Sequence, residues 1–493
     1  MKVLFVVPSS VGDYFSAQVP HTGVAYLSAV LKKNGAEVKI VDMRLGYTNE
    51  EALEIIDSYQ PDFIGITLYS FGLDRSVETV TKIKEHSSSY KVIIGGPHVA
   101  ALKAKSLEQM PADFGVLAEG EYVMLELCQG KTPANILGLI WRDGGNIVQN
   151  PDRPFDPNLD EIPYPDFEGF ELERYLGYSE RHLPIITSRG CPYQCVFCSI
   201  RLSMGLKFRA RSPENVVDEL EHWYKKGWRS FEVDDDNFTL DMGRAIKICD
   251  LIMERGLKIT WKCDNGIRAD RVNKEVLQKM KDAGCFYVSF GVEGGNNKML
   301  AALKKGEKIE TIINAVKLAK DVGLGVGCTF IIGSPEETYE DFLDSLRIAE
   351  DLPVDHVSFY NMVPYPGTEM HKWAEQHGRF VMDKDTFLYN VAYWRYKPVF
   401  DTENFTAEER MKAYKVANSV YRKKAMRMKF GKELGFIAWK LTGNHKIEGL
   451  LKNAVLKPGP GRFIFNKIKK DYEKEHAKFV EERELNKAIK IVQ

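Results

Sequence analysis

TSRGCPYQCVFC, residues 187–198, places three cysteines within a span of eight residues. A short apolar run of strand type, residues 183–187, precedes this stretch, and Arg189-Gly190 then turns the chain. The C-x-x-x-C-x-x-C spacing brings three soft thiolates to one side of a tight loop, which favours an iron–sulfur cluster. Structural zinc normally has four protein ligands, and no fourth Cys or His follows nearby in the sequence. A zinc site and a group of thiols without metal are the less favoured alternatives to the cluster.

An aromatic residue, Phe197, stands directly before the third cysteine, and with this feature the loop resembles that of the radical S-adenosylmethionine superfamily. The resemblance implies that Cys191, Cys195 and Cys198 bind three irons of a [4Fe-4S] cluster. It also implies that S-adenosylmethionine chelates the open fourth iron through its amino and carboxylate groups. One electron then cleaves the sulfonium to a 5′-deoxyadenosyl radical, and a donor such as flavodoxin or ferredoxin is expected to supply the electron.

The composition is that of a globular protein with two or three domains and a large core. The chain has 493 residues, of which 44% are hydrophobic and 28% are charged. The net charge of −1 is unevenly distributed, since residues 401–493 carry 22 Lys and Arg against 12 Asp and Glu. This basic C-terminal part is expected to meet an anionic partner or to lie over the acidic remainder.

Cysteine usage and the N-terminus predict a reducing, cytoplasmic environment. The chain opens directly with a strand rather than with a signal peptide, and no apolar run reaches the ~18 residues of a membrane span. Five cysteines outside the loop stand in apolar contexts, where a reduced, buried thiol is expected. They are Cys128, Cys249, Cys263, Cys285 and Cys328.

Residues 1–135 alternate strands and helices, which predicts a doubly wound parallel sheet of flavodoxin or Rossmann type. The predicted strands are residues 3–7, 38–42, 63–67, 91–98 and 114–117. The predicted helices between them are residues 20–33, 50–59 and 75–85, with another after residue 121. Ligands of such sheets bind at the carboxyl ends of the strands.

This unit looks like the cobalamin-binding domain that precedes some radical S-adenosylmethionine domains. The similarity lies in the order of strand, Pro8, TGVAYL (22–27), TLY (67–69), GGPH (95–98) and AEGE (118–121). It implies that the cobalamin nucleotide threads into the sheet edge, where Thr67, Gly95 and Gly96 make room, and that His98 touches the corrin.

One missing motif and two alternative interpretations accompany this resemblance. The sequence lacks a D-x-H-x-x-G motif after the first strand, the nearest candidate being QVPHTG (18–23), so a histidine ligand below the cobalt is not expected. A flavodoxin-like scaffold without cofactor is the alternative for the whole domain. For His98 the alternative is a loop histidine whose nitrogens are satisfied by hydrogen bonds.

Residues 136–180 read as a proline-rich linker with a hairpin around Asp143-Gly144-Gly145. Residues 181–385 repeat the strand-then-helix pattern six times. Six strands with six βα turns predict a partial (β/α)6 TIM-like barrel, whose chemistry lies on the turns after the strands.

The predicted βα turns of this barrel fall where cobalamin-dependent radical enzymes have comparable segments. The resemblance implies that Asp235 and Asp236 approach the methionyl amine of S-adenosylmethionine. It further implies that Arg268 grips the methionine carboxylate and that Glu293 binds the ribose hydroxyls. Carboxylate–amine and guanidinium–carboxylate pairing make these roles chemically sensible. A loop cap or a structural ion pair is the alternative for each residue.

Residues 386–493 predict a C-terminal helical domain that is specific to the substrate. A basic helix is expected from Thr406 to residue 430, with Glu409 in the capping-box position. Apolar stretches follow at 434–441, 450–456 and 463–468, and a charged helix at 469–493. Packing on the barrel and peripheral contact with a membrane through Phe436 and Trp439 are both open.

The two resemblances together predict a cobalamin-dependent radical S-adenosylmethionine enzyme. The leading hypothesis is a C-methyltransferase that acts on an unactivated carbon of a small-molecule, lipid or tetrapyrrole substrate. An oxidative cyclase of the porphyrin-cyclase type is the second hypothesis. A radical enzyme without cobalamin and a non-catalytic cofactor sensor are the further alternatives. No RNA-binding module is recognisable, so nucleic acid is not a predicted partner.

Overall fold

The computed structural model describes residues 1–9, 17–265, 267–384, 386–389, 397–431, 433, 436 and 439–440. The chain divides into two compact units, Met1–Val420 and Tyr421–Gln493. In the part of the chain that the structure describes, no helix is both long and apolar enough to cross a membrane. The apolar stretches predicted at 450–456 and 463–468 and the helix predicted at 469–493 lie outside the described residues, as does most of 434–441.

The N-terminal sheet is built on β1 (Lys2–Val7), in which every residue after Lys2 is buried. An apolar run buried on both faces is typical of a central parallel strand. The elements that follow are α1 (Thr22–Lys33), β2 (Glu37–Asp42), α2 (Asn49–Tyr59), β3 (Phe63–Thr67), α3 (Leu73–His86), β4 (Val92–Gly95), α4 (Pro97–Leu102), α5 (Lys105–Glu108), β5 (Phe114–Val116) and α6 (Glu121–Cys128).

The strand order of this sheet begins β2-β1-β3-β4-β5, with all of these pairs parallel. The predicted doubly wound sheet is confirmed, and its order reverses between β1 and β3, where such sheets bind ligands. The predicted hairpin is also present, as β6 (Leu139–Asp143) and β7 (Asn146–Gln149). Because β6 pairs antiparallel with β5, the sheet continues into the segment predicted as a linker.

The second sheet contains six parallel strands that follow one another in chain order. This arrangement confirms the predicted (β/α)6 half barrel. Its elements are β8 (His182–Ile185), β9 (Ser188–Arg189), α7 (Ile200–Ser203), β10 (Arg209–Ala210), α8 (Pro213–Lys225), β11 (Ser230–Val233), α9 (Met242–Glu254), β12 (Thr260–Cys263), α10 (Lys274–Asp282), β13 (Cys285–Glu293), α11 (Asn297–Ala302), α12 (Ile309–Asp321), β14 (Gly325–Ile332), α13 (Tyr339–Asp351), β15 (His356–Asn361) and α14 (Glu369–His377). The short strands β9 and β10 pair with each other and stand apart from the six.

The two faces of the barrel sheet differ in polarity. On β11, Phe231 and Val233 are buried, and they share one core with Trp223 of α8. Ser230 and Glu232 alternate with them and stay partly exposed. Since successive side chains of a strand point to opposite faces, the apolar set packs on the helices and the polar set lines the interior of the half barrel.

After the barrel, β16 (Arg379–Phe380) pairs with β17 (Phe400–Asp401), and α15 (Ala407–Phe430) follows. The predicted capping box is confirmed, because Glu409 Oε2 accepts from Thr406 N (2.9 Å) and Thr406 Oγ1 accepts from Glu409 N (3.4 Å). Arg410, in the first turn of α15, is fully buried and donates to the carbonyl of Phe400. These bonds fix the start of the C-terminal helix.

Candidate functional site

The cysteine loop begins directly after β9, at the carboxyl-end side of the barrel where this fold carries its chemistry. Backbone hydrogen bonds hold the loop at both ends, from Cys191 N to Gly205 O (3.3 Å) and from Val196 N to Leu303 O (3.1 Å). Cys191, Cys195 and Cys198 are unpaired and partly exposed. One loop therefore presents three accessible sulfur ligands.

Gly190 sets the turn into this loop, with a backbone φ of +84°. A Cβ atom at this position would overlap the carbonyl oxygen of Lys207, which is main chain and has little freedom to move. The Gly190 N–H also donates to Asp236 Oδ2 (2.7 Å). Only glycine combines this φ with so close an approach of two backbone segments.

Replacing Gly190 with Ala is expected to remove most of the bound iron, because the loop must shift to relieve the overlap. The matched control is Gly227→Ala, where φ is also positive (+94°) but a Cβ atom would meet nothing within 4 Å. The control should lose only about 1–2 kcal/mol of stability from the left-handed conformation. Iron and sulfide analysis after anaerobic reconstitution compares the two variants. Equal iron content in both would contradict this account of the turn.

The donor set fits a multi-iron cluster. Burial raises the pKa of all three thiols, that of Cys198 to about 11, so the thiolates need a bound metal to persist at neutral pH. Among the described residues, no three His, Cys, Asp or Glu side chains are arranged to hold a single metal ion. A [4Fe-4S] cluster instead takes each cysteine on a separate iron, which is what this loop offers.

The two predicted acidic residues after β11 have different surroundings. Asp235 is buried, and its oxygens accept from Thr187 N (2.6 Å), Thr187 Oγ1 (2.5 Å) and Ser188 Oγ (2.5 Å). Its carboxylate therefore holds the chain that enters the cysteine loop. Asp236 Oδ2 accepts a hydrogen bond from the Gly190 N–H, and burial raises the pKa of Asp236 to about 6. Of the pair, Asp236 keeps one oxygen without a partner among the described residues, and the predicted amine contact stays a prediction.

Arg268 lies beside the cysteine loop, with its guanidinium 3.5 Å from the ring centre of Tyr193. Its Nε donates to Asp270 Oδ1 (2.9 Å), and one terminal nitrogen donates to the backbone carbonyl of Lys305 (2.9 Å). Most of its donors are thus used inside the protein. The predicted grip on a methionine carboxylate stays a prediction, with few N–H groups left to make it.

Glu293 ends β13 in a left-handed conformation (φ +65°), which is uncommon for a residue other than glycine and is enriched at functional sites. Its Oε1 accepts from Lys305 Nζ (3.2 Å), while Oε2 has no partner among the described residues. The Lys305 ammonium is buried and also lies 3.6 Å from Glu307 Oε2. Burial raises the pKa of the Cys195 thiol, and the positive charge of Lys305 offsets part of this rise.

Sequence reasoning missed Lys305. The preceding residue, Lys304, is exposed and pairs with Glu369 on the surface. Nothing in the sequence distinguishes the two neighbouring lysines. The burial of Lys305 and its closeness to the cysteines come from the turn after α11.

A cavity of about 230 Å³ opens at the carboxyl ends of β1 and β3 in the N-terminal sheet. Small-molecule sites usually occupy about 300–1,000 Å³, so part of a corrin would fit here and the rest would extend beyond it. The stacked rings of Tyr69 and Phe71 (centroids 5.1 Å apart) offer a flat apolar surface. The cavity is lined by Val7, Pro8, Ser9, His21, Arg44, Thr67, Tyr69, Phe71, Gly72 and Ser76.

Thr67 lines this cavity, and its predicted role toward a cobalamin nucleotide stays a prediction. Gly95 ends β4, and Gly96 serves the turn that follows this strand. A Cβ on Gly96 (φ +97°) would lie 2.8 Å from Leu68 O and 3.1 Å from Thr67 Oγ1. A Cβ on Gly95 would make an ordinary 3.7 Å contact with Val116. The small size of Gly96 is therefore needed for backbone packing, and room for a nucleotide at Gly95 stays a prediction.

His98 and His21 are both committed to protein partners. His98 lies in α4, fully buried, with Nδ1 3.0 Å from Ser70 Oγ and Nε2 2.8 Å from Gln109 Oε1. Both ring nitrogens of His98 thus have hydrogen-bond partners within the protein, which agrees with the alternative interpretation of this residue. His21 lines the cavity, but its Nδ1 accepts from Val24 N (3.2 Å) and its Nε2 lies 3.1 Å from Tyr69 Oη. Burial lowers the pKa of His21 to about 4, so it stays neutral.

Four charged side chains tie the N-terminal sheet to the cysteine loop. Arg189 directly precedes the loop and pairs with Glu119 (2.8 Å) and Glu121 (2.8 Å), which stand before and at the start of α6. Arg209 of β10 pairs with the same Glu119 (2.9 Å). All four side chains are at most 12% exposed. The start of α6 and the cysteine loop thus have a direct, buried connection.

Comparison with known families matches both parts of the chain. Residues 185–349 match the Radical SAM superfamily, and residues 9–128 match the B12 binding domain. A protein named an uncharacterized methyltransferase from Pyrococcus horikoshii is 34% identical over 424 residues, which cover 83% of this chain and 90% of that protein.

Two further relatives bear on the chemistry and on the fold. An anaerobic magnesium-protoporphyrin IX monomethyl ester cyclase from Rubrivivax gelatinosus is 29% identical over 386 residues, covering 75% of this chain and 69% of that protein. The solved structure of the cobalamin-dependent S-adenosylmethionine radical enzyme OxsB, with aqua-cobalamin and S-adenosylmethionine bound, matches with a TM-score of 0.71 and 19% identity. That match covers 97% of this chain and 81% of the other, and it concerns the fold alone.

Proposed function

The chain belongs to the radical S-adenosylmethionine superfamily, with a B12-binding domain ahead of the radical domain, and from this premise we propose that it is a C-methyltransferase. It is a cobalamin-binding radical enzyme that uses a [4Fe-4S] cluster and S-adenosylmethionine. The observation that carries methyl transfer is the 34% identity to a methyltransferase-named protein over 90% of that protein's length.

The cofactors carry the hard chemistry, and the protein supplies binding and placement. When bound, the cluster and S-adenosylmethionine supply a radical that removes a hydrogen atom, and cobalamin supplies a methyl group. Cys191, Cys195 and Cys198 would hold the cluster. The cavity that Thr67 lines would receive part of the corrin.

Four residues near the cysteines are proposed to position S-adenosylmethionine. Lys305 is a buried cation and would offset the charge of the methionine carboxylate together with Arg268. In the described part of the chain Glu293 Oε2 and one Asp236 oxygen have no partner. They would accept from a hydroxyl pair and from an amine, respectively. What supports these roles is, for Glu293 and Asp236, a carboxylate oxygen without a partner among the described residues and, for Lys305 and Arg268, a positive charge beside the loop.

Oxidative cyclisation is the second candidate, because the relatives include a protein named a magnesium-protoporphyrin IX monomethyl ester cyclase. Its identity and coverage are lower than those of the methyltransferase-named relative. A small-molecule substrate is proposed for either reaction. The electron donor, the cytoplasmic location and the domain boundaries stay predictions.

Isotope transfer separates the two reactions. The protein is reconstituted anaerobically with iron, sulfide and cobalamin, and incubated with reductant, cell extract and S-adenosylmethionine that carries a deuterated methyl group. A methyltransferase should yield 5′-deoxyadenosine from one S-adenosylmethionine, and S-adenosylhomocysteine from a second one that would renew the methyl group of cobalamin. Its product should be heavier by a trideuterated methyl group. A cyclase should yield 5′-deoxyadenosine without isotope in the product. The absence of 5′-deoxyadenosine would overturn both.

A further inference from the structure

The cavity of the N-terminal sheet contains a charged side chain to which the assignments above give no role. Arg44 lies in the 3-10 turn Met43–Leu45, which follows β2 directly, and it lines the cavity. Among the described residues that line this cavity, Arg44 alone carries a charge, since the histidine there is neutral. The cavity therefore presents one positive group to the molecule that it binds.

Protein contacts fix the orientation of the Arg44 guanidinium. Its Nε donates to Asp42 Oδ1 (2.9 Å), and its Nη2 donates to Asp42 Oδ2 (2.5 Å) and to the carbonyl of Val19 (3.2 Å). Asp42 also accepts from Tyr175 Oη (2.6 Å), and its side chain is only 2% exposed and does not line the cavity. The remaining nitrogen, Arg44 Nη1, has no partner among the described residues. The buried carboxylate thus holds the guanidinium in place and leaves one N–H group of fixed direction for a ligand.

A second donor in the same cavity follows from the direction of the hydrogen bonds at His21. Its Nδ1 accepts from the Val24 N–H (3.2 Å), so this nitrogen carries no hydrogen. The neutral ring therefore carries its hydrogen on Nε2, which donates to Tyr69 Oη at 3.1 Å. The Tyr69 hydroxyl keeps its own hydrogen, for which the described residues offer no acceptor. Since Tyr69 lines the cavity, this hydrogen is available to a ligand.

Two donors, one of them charged, select for an acceptor that is anionic. Cobalamin carries neutral amides around its corrin ring, and the phosphodiester that links the ring to its nucleotide is the anionic group of its periphery. A guanidinium binds phosphate oxygens through charge-assisted hydrogen bonds, which are roughly twice as strong as bonds to a neutral amide carbonyl. The phosphodiester is therefore the part of cobalamin that matches this pair of donors.

We propose that Arg44 and Tyr69 bind the phosphodiester of cobalamin, so that this chain discriminates between corrinoids with and without a phosphate. Arg44 supplies the charged donor and Tyr69 the neutral one. The cavity then holds the phosphate beside the edge of the corrin. This inference rests on the binding of cobalamin by the N-terminal domain and goes beyond the proposed methyl transfer.

Three corrinoids test the proposal: cobalamin, cobinamide phosphate, which keeps a phosphate but lacks the ribose and the base, and cobinamide, which lacks all three. The full chain is reconstituted anaerobically with iron and sulfide but without corrinoid, and equilibrium dialysis with detection of the corrinoid absorbance measures each affinity. The wild-type chain should bind cobinamide phosphate about tenfold or more tighter than cobinamide, as expected for a hydrogen bond to a charged group.

Two variants locate the source of this preference. In the double variant Asp42→Asn, Arg44→Met the preference should disappear, and cobalamin should bind about tenfold or more weakly than to the wild type, with the affinity for cobinamide unchanged. Asp42 is replaced as well because it would otherwise remain as a buried charge without its partner. Tyr69→Phe keeps the ring and should weaken cobinamide phosphate by about two- to tenfold, again without effect on cobinamide.

The matched control is Arg174→Met, because Arg174 donates to Leu45 O (2.7 Å) next to Arg44 and pairs with Glu171 (2.9 Å) but does not line the cavity. It should keep all three wild-type affinities. The proposal is overturned if the wild type binds cobinamide phosphate no tighter than cobinamide, including when it binds neither, or if a folded variant keeps the preference or loses affinity for all three corrinoids equally. Failure of the proposed methyl transfer has a different signature, since it appears as a product without isotope and leaves the corrinoid affinities as they are.

Discussion

A chain carrying Cys195→Ala is expected to lose the iron–sulfur absorbance and all reductive cleavage of S-adenosylmethionine. Cys195 is the middle cysteine of the loop that is proposed to supply three sulfur ligands, and the described residues near it offer no replacement thiol. Two thiolates leave a second iron of the cluster open to solvent, so the cluster is not retained. Iron analysis, visible absorbance and release of 5′-deoxyadenosine under reduction measure the loss.

Cys128→Ala is the control, because Cys128 is a partly exposed free cysteine at the end of α6, away from the cysteine loop in sequence and in fold. It should keep the iron content and the cleavage rate of the parent chain. The assignment of the cluster would be wrong if Cys195→Ala still cleaved S-adenosylmethionine. It would also be wrong if the anaerobic protein held zinc in place of iron.

Replacing Arg189 with Met should lower the local free energy of unfolding by about 3–5 kcal/mol, because it leaves Glu121 as a buried charge without its partner. Glu119 keeps its ion pair with Arg209. The loss of stability therefore falls mainly on the start of α6 and on the strand before the cysteine loop. A chain of several domains does not unfold in one step, so hydrogen exchange is the appropriate measurement. Amide exchange in these two segments should accelerate by roughly two to four orders of magnitude.

Two further variants make this prediction specific. Adding Glu121→Gln to Arg189→Met should restore part of the protection, because the orphaned charge is removed. Arg75→Met breaks an exposed ion pair with Glu78 and should cost about 0–1 kcal/mol. If Arg189→Met exchanged no faster than Arg75→Met, the buried connection between the N-terminal sheet and the loop would not be stabilising.

Local sequence patterns were sufficient to predict both sheets and the cysteine loop. Helix bounds near Thr406 followed from a capping box, and the hairpin around Asp143 followed from its turn residues. Both signals lie within a few residues of the structure that they specify. The same holds for the three cysteines, whose spacing alone places them on one loop.

The roles of single polar side chains did not follow from local patterns. Asp234, Asp235 and Asp236 are the same residue type, yet their side chains differ in what they contact. Among the described residues, the Asp234 carboxylate has no partner, that of Asp235 holds the chain before the loop and that of Asp236 accepts from Gly190. Their difference arises from residues 185–190, which lie about fifty residues earlier and supply the partners.

The sequence by itself determined the fold class, the family and the placement of three cysteines on one loop, because hydrophobic period, turn chemistry and cysteine spacing are local properties of the chain. The tertiary structure alone decided that Lys305 is buried while Lys304 is not, and that His98 is fully hydrogen-bonded. Burial and pairing depend on segments that are distant in sequence and adjacent only after folding. The charge and hydrogen-bonding capacity left over for a ligand are therefore properties of the folded chain.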